Sequence, residues 1–161
     1  MVRRAGGAAD VITIVAAGLA ELPHFSRLFD LYRQFYGAAS DLPAAHAFLA
    51  ERLARQDSVL LGAMREGMLM GFVQLYPVPN SLSGGQLMIL NDLFVDPAAR
   101  GAGIARRLMQ AAQDHAQAAG VTRLELSTQH TNRTAQRLYE ALGWRQDGEF
   151  RYYVLELPTT R

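Results

Sequence analysis

The chain contains neither cysteine nor lysine among its 161 residues. Without cysteine there is no disulfide, no thiolate zinc site, no iron–sulfur cluster and no thiol nucleophile. Without lysine, Schiff-base chemistry and pyridoxal phosphate attachment are excluded, as is the lysine that a phosphate-binding P-loop needs after its second glycine. Every basic residue is an arginine, which with the many alanines hints at a GC-rich bacterial genome. The formal net charge is only +1, so nothing suggests a polyanionic partner or nucleic-acid binding. No run approaches the ~18 apolar residues of a membrane span. The histidines, His24, His46, His115 and His130, lack a ligand spacing, and no metal site is read from them.

Half of the residues are hydrophobic, enough for a real core. Residues 1–9 read as a disordered N-terminus and 10–161 as one domain. Met1-Val2-Arg3-Arg4 ahead of Val11–Ala20 resembles a signal peptide superficially. Asp10 and the Gly-Ala spacer separate charge from apolar run, and the alternating β-branched Val11–Ala16 reads as a first strand, so a cytoplasmic protein is expected.

Pro23 opens a helix whose aromatic stripe, Phe25, Phe29, Tyr32, Phe35 and Tyr36, ends near Gly37. A second helix starts at Pro43 and stops before Asp57-Ser58. Val59–Met64 and Met68–Tyr76, joined by Arg65-Glu66-Gly67, form a hairpin. The prolines from Pro77 onward are expected to end that strand in an irregular loop. A strand over 87–95, a helix from Ile104 to Gly120 and a strand over 121–128 follow, the two strands parallel around the crossover and able to splay at their C-terminal ends. Asn132–Leu142 is a last helix, with Ala135, Leu138, Tyr139 and Leu142 inward, and Phe150–Leu157 a closing strand. The fold class is a mixed α/β sheet flanked by helices.

The most informative stretch runs from Leu90 to Met109. A strand ends in Asp96-Pro97, and Arg100-Gly101-Ala102-Gly103 leads into a helix. Such a loop offers unpaired amides and the positive end of a helix dipole to phosphate or pyrophosphate. A dinucleotide fingerprint would place Arg106 where a third small residue must pack. What fits is Arg-x-x-Gly-x-Ala, Arg100 to Ala105, which resembles the acyl-coenzyme A pyrophosphate loop of the GCN5-related N-acetyltransferases (GNAT). A second motif, Asn132-x-x-Ala135-x-x-x-Tyr139-x-x-x-Gly143-Trp144, is similar to that family's other cofactor motif. The element order matches the family over essentially the whole chain.

The resemblance implies acetyl-CoA as donor and a primary amine, on a small cationic molecule, as acceptor. It implies main-chain contacts from Leu93, Phe94 and Val95 to the pantetheine arm, which behaves as an added strand in the splayed gap. Gly101, Ala102, Gly103, Ile104, Ala105 and Arg106, with Arg100, would cradle the pyrophosphate. Asn132, otherwise a helix N-cap, would contact the pantetheine or acceptor side. Tyr139, otherwise a core aromatic, would protonate the leaving thiolate, and an amide from Phe94 or nearby would stabilise the oxyanion. Asp92 is the candidate base, provided that the strand bulges to turn it inward; Glu125 and His130 are reserves. Asn91 stands where a polyamine-type Glu-Asp pair carries glutamate. Asp30, Tyr32 and Tyr36 are candidate acceptor-binding residues. Acetylation of protein amino groups and a non-catalytic acyl-CoA sensor remain alternatives, and a homodimer is compatible with the family.

Overall fold

The computed structural model describes residues 11–158; the expected N-terminal tail, residues 1–9, lies outside them. Its contacts group into two units that divide between Ser127 and Thr128.

The N-terminal unit is a five-stranded sheet in sequential order. Its strands are β1 (Thr13–Ala16), β2 (Val59–Arg65), β3 (Met68–Asn80), β4 (Gly85–Val95) and β5 (Leu124–Glu125), with helices α1 (Leu22–Phe35), α2 (Leu42–Arg55) and α3 (Ile104–Ala118). The first four strands pair antiparallel, and β4 pairs β5 in parallel. The β2–β3 turn is tight because Glu66 and Gly67 both take positive φ, 50° and 77°, the geometry of a two-residue turn that follows the twist of its strands. On one face Phe25, Leu28 and Phe29 of α1 and Ala45 and Leu49 of α2 pack with Leu60, Leu69, Phe72 and Phe94. On the other, α3 buries Ile104, Leu108, Met109, Ala112 and Ala116. Gly71 lets α3 come this close: a Cβ there would lie 2.8 Å from the Phe94 carbonyl and 3.1 Å from Leu108 Cδ1.

Three expectations are corrected. β3 does not end at Pro77 but runs to Asn80, with Pro77 opposite Met88 and Pro79 opposite Gln86. The β2 pairing of β3 stops at Leu75, so beyond it that edge of β3 has no β2 hydrogen bonds for a proline to remove. β5 covers two residues rather than 121–128, pairing only with Met88 and Ile89. The pairing with β5 ends at Ile89, and β4 bulges at Asn91. Finally, 150–157 is not a strand: Phe150, Tyr152, Tyr153, Val154, Leu155 and Leu157 are all exposed. Alternation alone does not make a strand; the backbone needs a paired neighbour.

The C-terminal unit holds α4 (Arg133–Ala141). The Asn132 side chain caps it, accepting from the Ala135 amide at 3.3 Å, and Gly143 closes it in the left-handed region at φ 87°. Ala135, Leu138, Tyr139 and Leu142, expected inward, are half-buried. No helix among the described residues is long and apolar enough to cross a membrane.

Candidate active site

The bulge in β4 decides where the carboxylate goes. Gln74 pairs with Asp92 and Leu75 with Leu90, leaving Asn91 as the extra residue. Neighbouring residues on β3 point to opposite faces, so Leu90 joins the α3 side and Asp92 turns to the α1 side. There Asp92 is 5% exposed. The Asn91 amide donates to both of its oxygens at 3.1 Å, and the Tyr32 hydroxyl of α1 donates a further hydrogen bond. All of these donors are neutral. Among the described residues no cation forms a salt bridge with Asp92. A buried carboxylate without a countercharge is costly, so this site favours a cationic ligand.

Two tyrosines register that charge. Burial, the hydrogen bond to Asp92 and the nearby carboxylate hold the Tyr32 phenol well above its usual range. Burial first, then the Asp92 charge, pushes Tyr76 up to about 12. Both therefore stay protonated and act as neutral hydroxyls. Tyr32 stands edge-on to Tyr36, ring centroids 5.1 Å apart, and Tyr36 edge-on to Phe35 at 5.2 Å. Tyr36 and Phe35 are 59% and 63% exposed.

Asp30 sits elsewhere. It is buried, and its carboxylate accepts from Gln34 Nε2, Ser40 Oγ and the Asp41 amide at 2.9, 2.7 and 2.8 Å. These bonds tie the end of α1 to the start of α2, and the backbone bond from Asp41 leads in holding Asp30 below the usual carboxylate range. The reserve bases also have other engagements: Glu125 pairs with Arg123 at 2.7 Å, and His130 is exposed on the C-terminal unit, its carbonyl accepting from Gln136 Nε2.

The second half of β4 has an open edge. Asp96 N–H bonds to Met70 O at 2.8 Å toward β3. By the alternation of an antiparallel ladder, Phe94 also turns its main-chain groups to β3, while Leu93 and Val95 turn theirs to the β5 side. β5 does not reach them. Of the expected trio, Leu93 and Val95 thus offer main-chain groups at that edge, and the Phe94 amide is not available there as an oxyanion donor. Val95 O accepts from Arg100 Nε at 3.4 Å, and the Arg100 guanidinium lies 5.9 Å from the Phe35 ring and 6.0 Å from the Phe94 ring.

Directly beyond is the glycine loop. Gly101 and Gly103 take φ of 84° and 72°, values that favour glycine. Gly103 is the N-cap of α3, and the first turn is closed by Arg107 N–H to Gly103 O at 3.2 Å. The amides of Ile104, Ala105 and Arg106 precede that bond at the positive end of the helix dipole. A Cβ on Gly101 or Gly103 would meet nothing within 4 Å, so the cradle is open to a ligand. In the C-terminal unit, Tyr139 packs against Trp144, centroids 6.3 Å apart, and its carbonyl accepts from the Trp144 amide at 3.0 Å.

Residues 25–144 match the sequence model of the Acetyltransferase (GNAT) family. The chain belongs to that family. This GNAT acetyltransferase is 48% identical over 131 residues to the uncharacterized N-acetyltransferase YhfO of Bacillus subtilis strain 168, covering 81% of this chain and 88% of that protein. It is 29% identical over 108 residues to an aminoglycoside N(6')-acetyltransferase type 1 of Klebsiella aerogenes, covering 66% and 71% of the two chains. A solved structure described as a probable acetyltransferase superposes with a TM-score of 0.86 at 39% identity, over 92% of this chain and 99% of that one. The chain is an N-acetyltransferase of the GNAT type.

Asp92 and Tyr32 stand out in the sequence, whereas the residue that faces Asp92 does not. Gln74, fully buried opposite Asp92, reads in the sequence as one polar residue inside an apolar strand. That interruption was the available signal.

Proposed function

We propose that residues 10–161 act as one domain that transfers acetyl from acetyl-CoA directly to the primary amine of a small cationic molecule. The observation that carries this reading is the buried Asp92 carboxylate, lacking a cationic partner and set one residue from the open edge of β4. An ammonium is the ligand that such a site favours.

The cradle fits the donor. Open space lies where Gly101 and Gly103 would carry a Cβ, and the Gly101–Arg106 amides at this helix N-terminus suit a pyrophosphate, as the Leu93 and Val95 edge suits the amides of a pantetheine arm. Acetyl-CoA, when bound, supplies the activated acyl carbon. Asp92 holds the ammonium and takes its proton, giving the neutral amine that attacks. With Phe94 turned to β3, the edge amide of Leu93 is the oxyanion donor. Tyr139 gives a proton to the departing thiolate and is restored by the proton that the nitrogen of the collapsing adduct gives up, a role that rests on its place in the Asn132–Trp144 motif; Asn132 serves as N-cap and as a ligand contact in the same motif. Proton transfer of this kind contributes ~10²–10⁴-fold. The Klebsiella relative, named for acetylating an aminoglycoside, is in keeping with a small-molecule acceptor.

The test compares wild type with Tyr139→Phe for free thiol released from acetyl-CoA in the presence of primary amines, with acetyl-CoA affinity measured separately by calorimetry. Amine-dependent release that falls in the variant while affinity holds supports the assignment. Wild-type rates in Tyr139→Phe remove the tyrosine from the mechanism. Binding without turnover on any amine or basic peptide favours a sensor.

A further inference from the structure

The surroundings of Asp92 discriminate among cationic amines. The other carboxylates of α1, α2 and their flanks are committed. Asp30 holds the α1–α2 connection, Asp41 caps α2 by accepting from the Ala44 amide, and Glu51 and Asp57 are paired with Arg52 and Arg55. Among the described residues of this wall, second and third ammonium groups of a polycation would meet carboxylates already engaged by hydrogen bonds or arginines, with Asp57 Oδ1 alone of their oxygens buried and without a hydrogen-bond partner.

Asp92 has a neutral companion. Gln74 is its cross-strand neighbour on the same face, a relation that puts Cβ atoms ~4.5–5.5 Å apart. Its Nε2 donates to Ser58 Oγ at 3.0 Å, while Oε1 is buried with no hydrogen-bond partner among the described residues. A buried carbonyl oxygen left unmatched is costly, and an ammonium has three donors to distribute. Next to this pair the rings run outward from Tyr32 to Tyr36 and Phe35, the last two largely exposed. Exposed aromatic rings adjoining a buried carboxylate suit a molecule with one charged end and one flat apolar end.

Building on the amine-transfer reading, on which this inference rests, we propose that the acceptor is a primary monoamine bearing an aromatic ring. Its ammonium sits between Asp92 and the Gln74 carboxamide oxygen, and its ring lies on Tyr36 and Phe35. Gln74 then acts as a specificity residue, and Tyr36 as the wall that reads the ring.

Thiol release from acetyl-CoA is followed with 2-phenylethylamine, propylamine, spermidine and kanamycin. The expected order places phenylethylamine about tenfold or more above propylamine in kcat/KM, one good ring contact, with both polycations below. Gln74→Leu raises KM for phenylethylamine about tenfold with a smaller change in kcat, Gln74→Glu restores an acceptor oxygen and recovers much of it, and acetyl-CoA affinity is the same in all three. Tyr36→Ala narrows the gap between phenylethylamine and propylamine. Spermidine or kanamycin matching phenylethylamine, or a ring that makes no difference, overturns this proposal and leaves amine transfer standing. Bound acetyl-CoA with no turnover on any amine overturns both.

Discussion

The Tyr32 hydroxyl of α1 donates a hydrogen bond to the Asp92 carboxylate of β4, so the helix and the bulged strand meet at a buried acid that has no countercharge among the described residues. This contact ties acceptor wall to candidate base. It also fixes a titration. Tyr32 and Tyr76 both have folded pKa values raised above the ordinary 10.0. The unfolded chain therefore loses these protons first as pH rises, and the stabilisation held by the neutral phenols is fully present below 10 and lost between 10 and the folded values, about 12 for Tyr76. Spectroscopic titration of tyrosinate should leave two of the tyrosines protonated near pH 11, and chemical denaturation should show stability falling above pH 10. Tyr32→Phe should weaken that fall; an unchanged alkaline profile would mean that Tyr32 does not face Asp92.

The glycine loop makes a separable claim. Gly103→Val places a β-branched side chain at φ 72°, at a cost of about 1–2 kcal/mol, and fills the space in front of the α3 amides. Calorimetry should find acetyl-CoA affinity reduced about a hundredfold or more, while the variant stays folded at room temperature. Affinity equal to wild type would place the pyrophosphate elsewhere.

Asp30 tests the distinction between a binding acid and a structural one. Its hydrogen bonds keep its folded pKa below 3.8, so its contribution is present above that value and is lost as pH falls through the lower folded pKa. Asp30→Asn should lower Tm at neutral pH, with the gap to wild type closing in acid, and should leave KM for the amine near wild type. A large rise in KM with an unchanged Tm would return Asp30 to the acceptor site.

Much of this was legible in the chain because local rules carry it. The Arg100–Ala105 spacing and the Asn132–Trp144 spacing encode helix starts and ends that depend on near neighbours, and both are found where expected. The inward turn of Asp92 was readable only as a condition, since alternation along β4 cannot say whether Asn91 is absorbed as a bulge; the pairing with β3 decides it. Asp30 looked like a binding residue because its partners, Ser40 and the Asp41 amide, lie ten and eleven residues on in an irregular connection. Pro77 and Pro79 have the look of strand breakers because the edge they occupy is set by where β2 begins. The segment 150–157 has the strand pattern, yet no ladder forms over it among the described residues.

The most direct test of the account is amine-dependent thiol release from acetyl-CoA by wild type and Asp92→Asn, with acetyl-CoA affinity measured alongside. The account predicts that kcat/KM for the amine falls about a hundredfold or more while acetyl-CoA binds as before. An Asp92→Asn enzyme that works as well as wild type would show that the buried carboxylate neither seats the ammonium nor takes its proton.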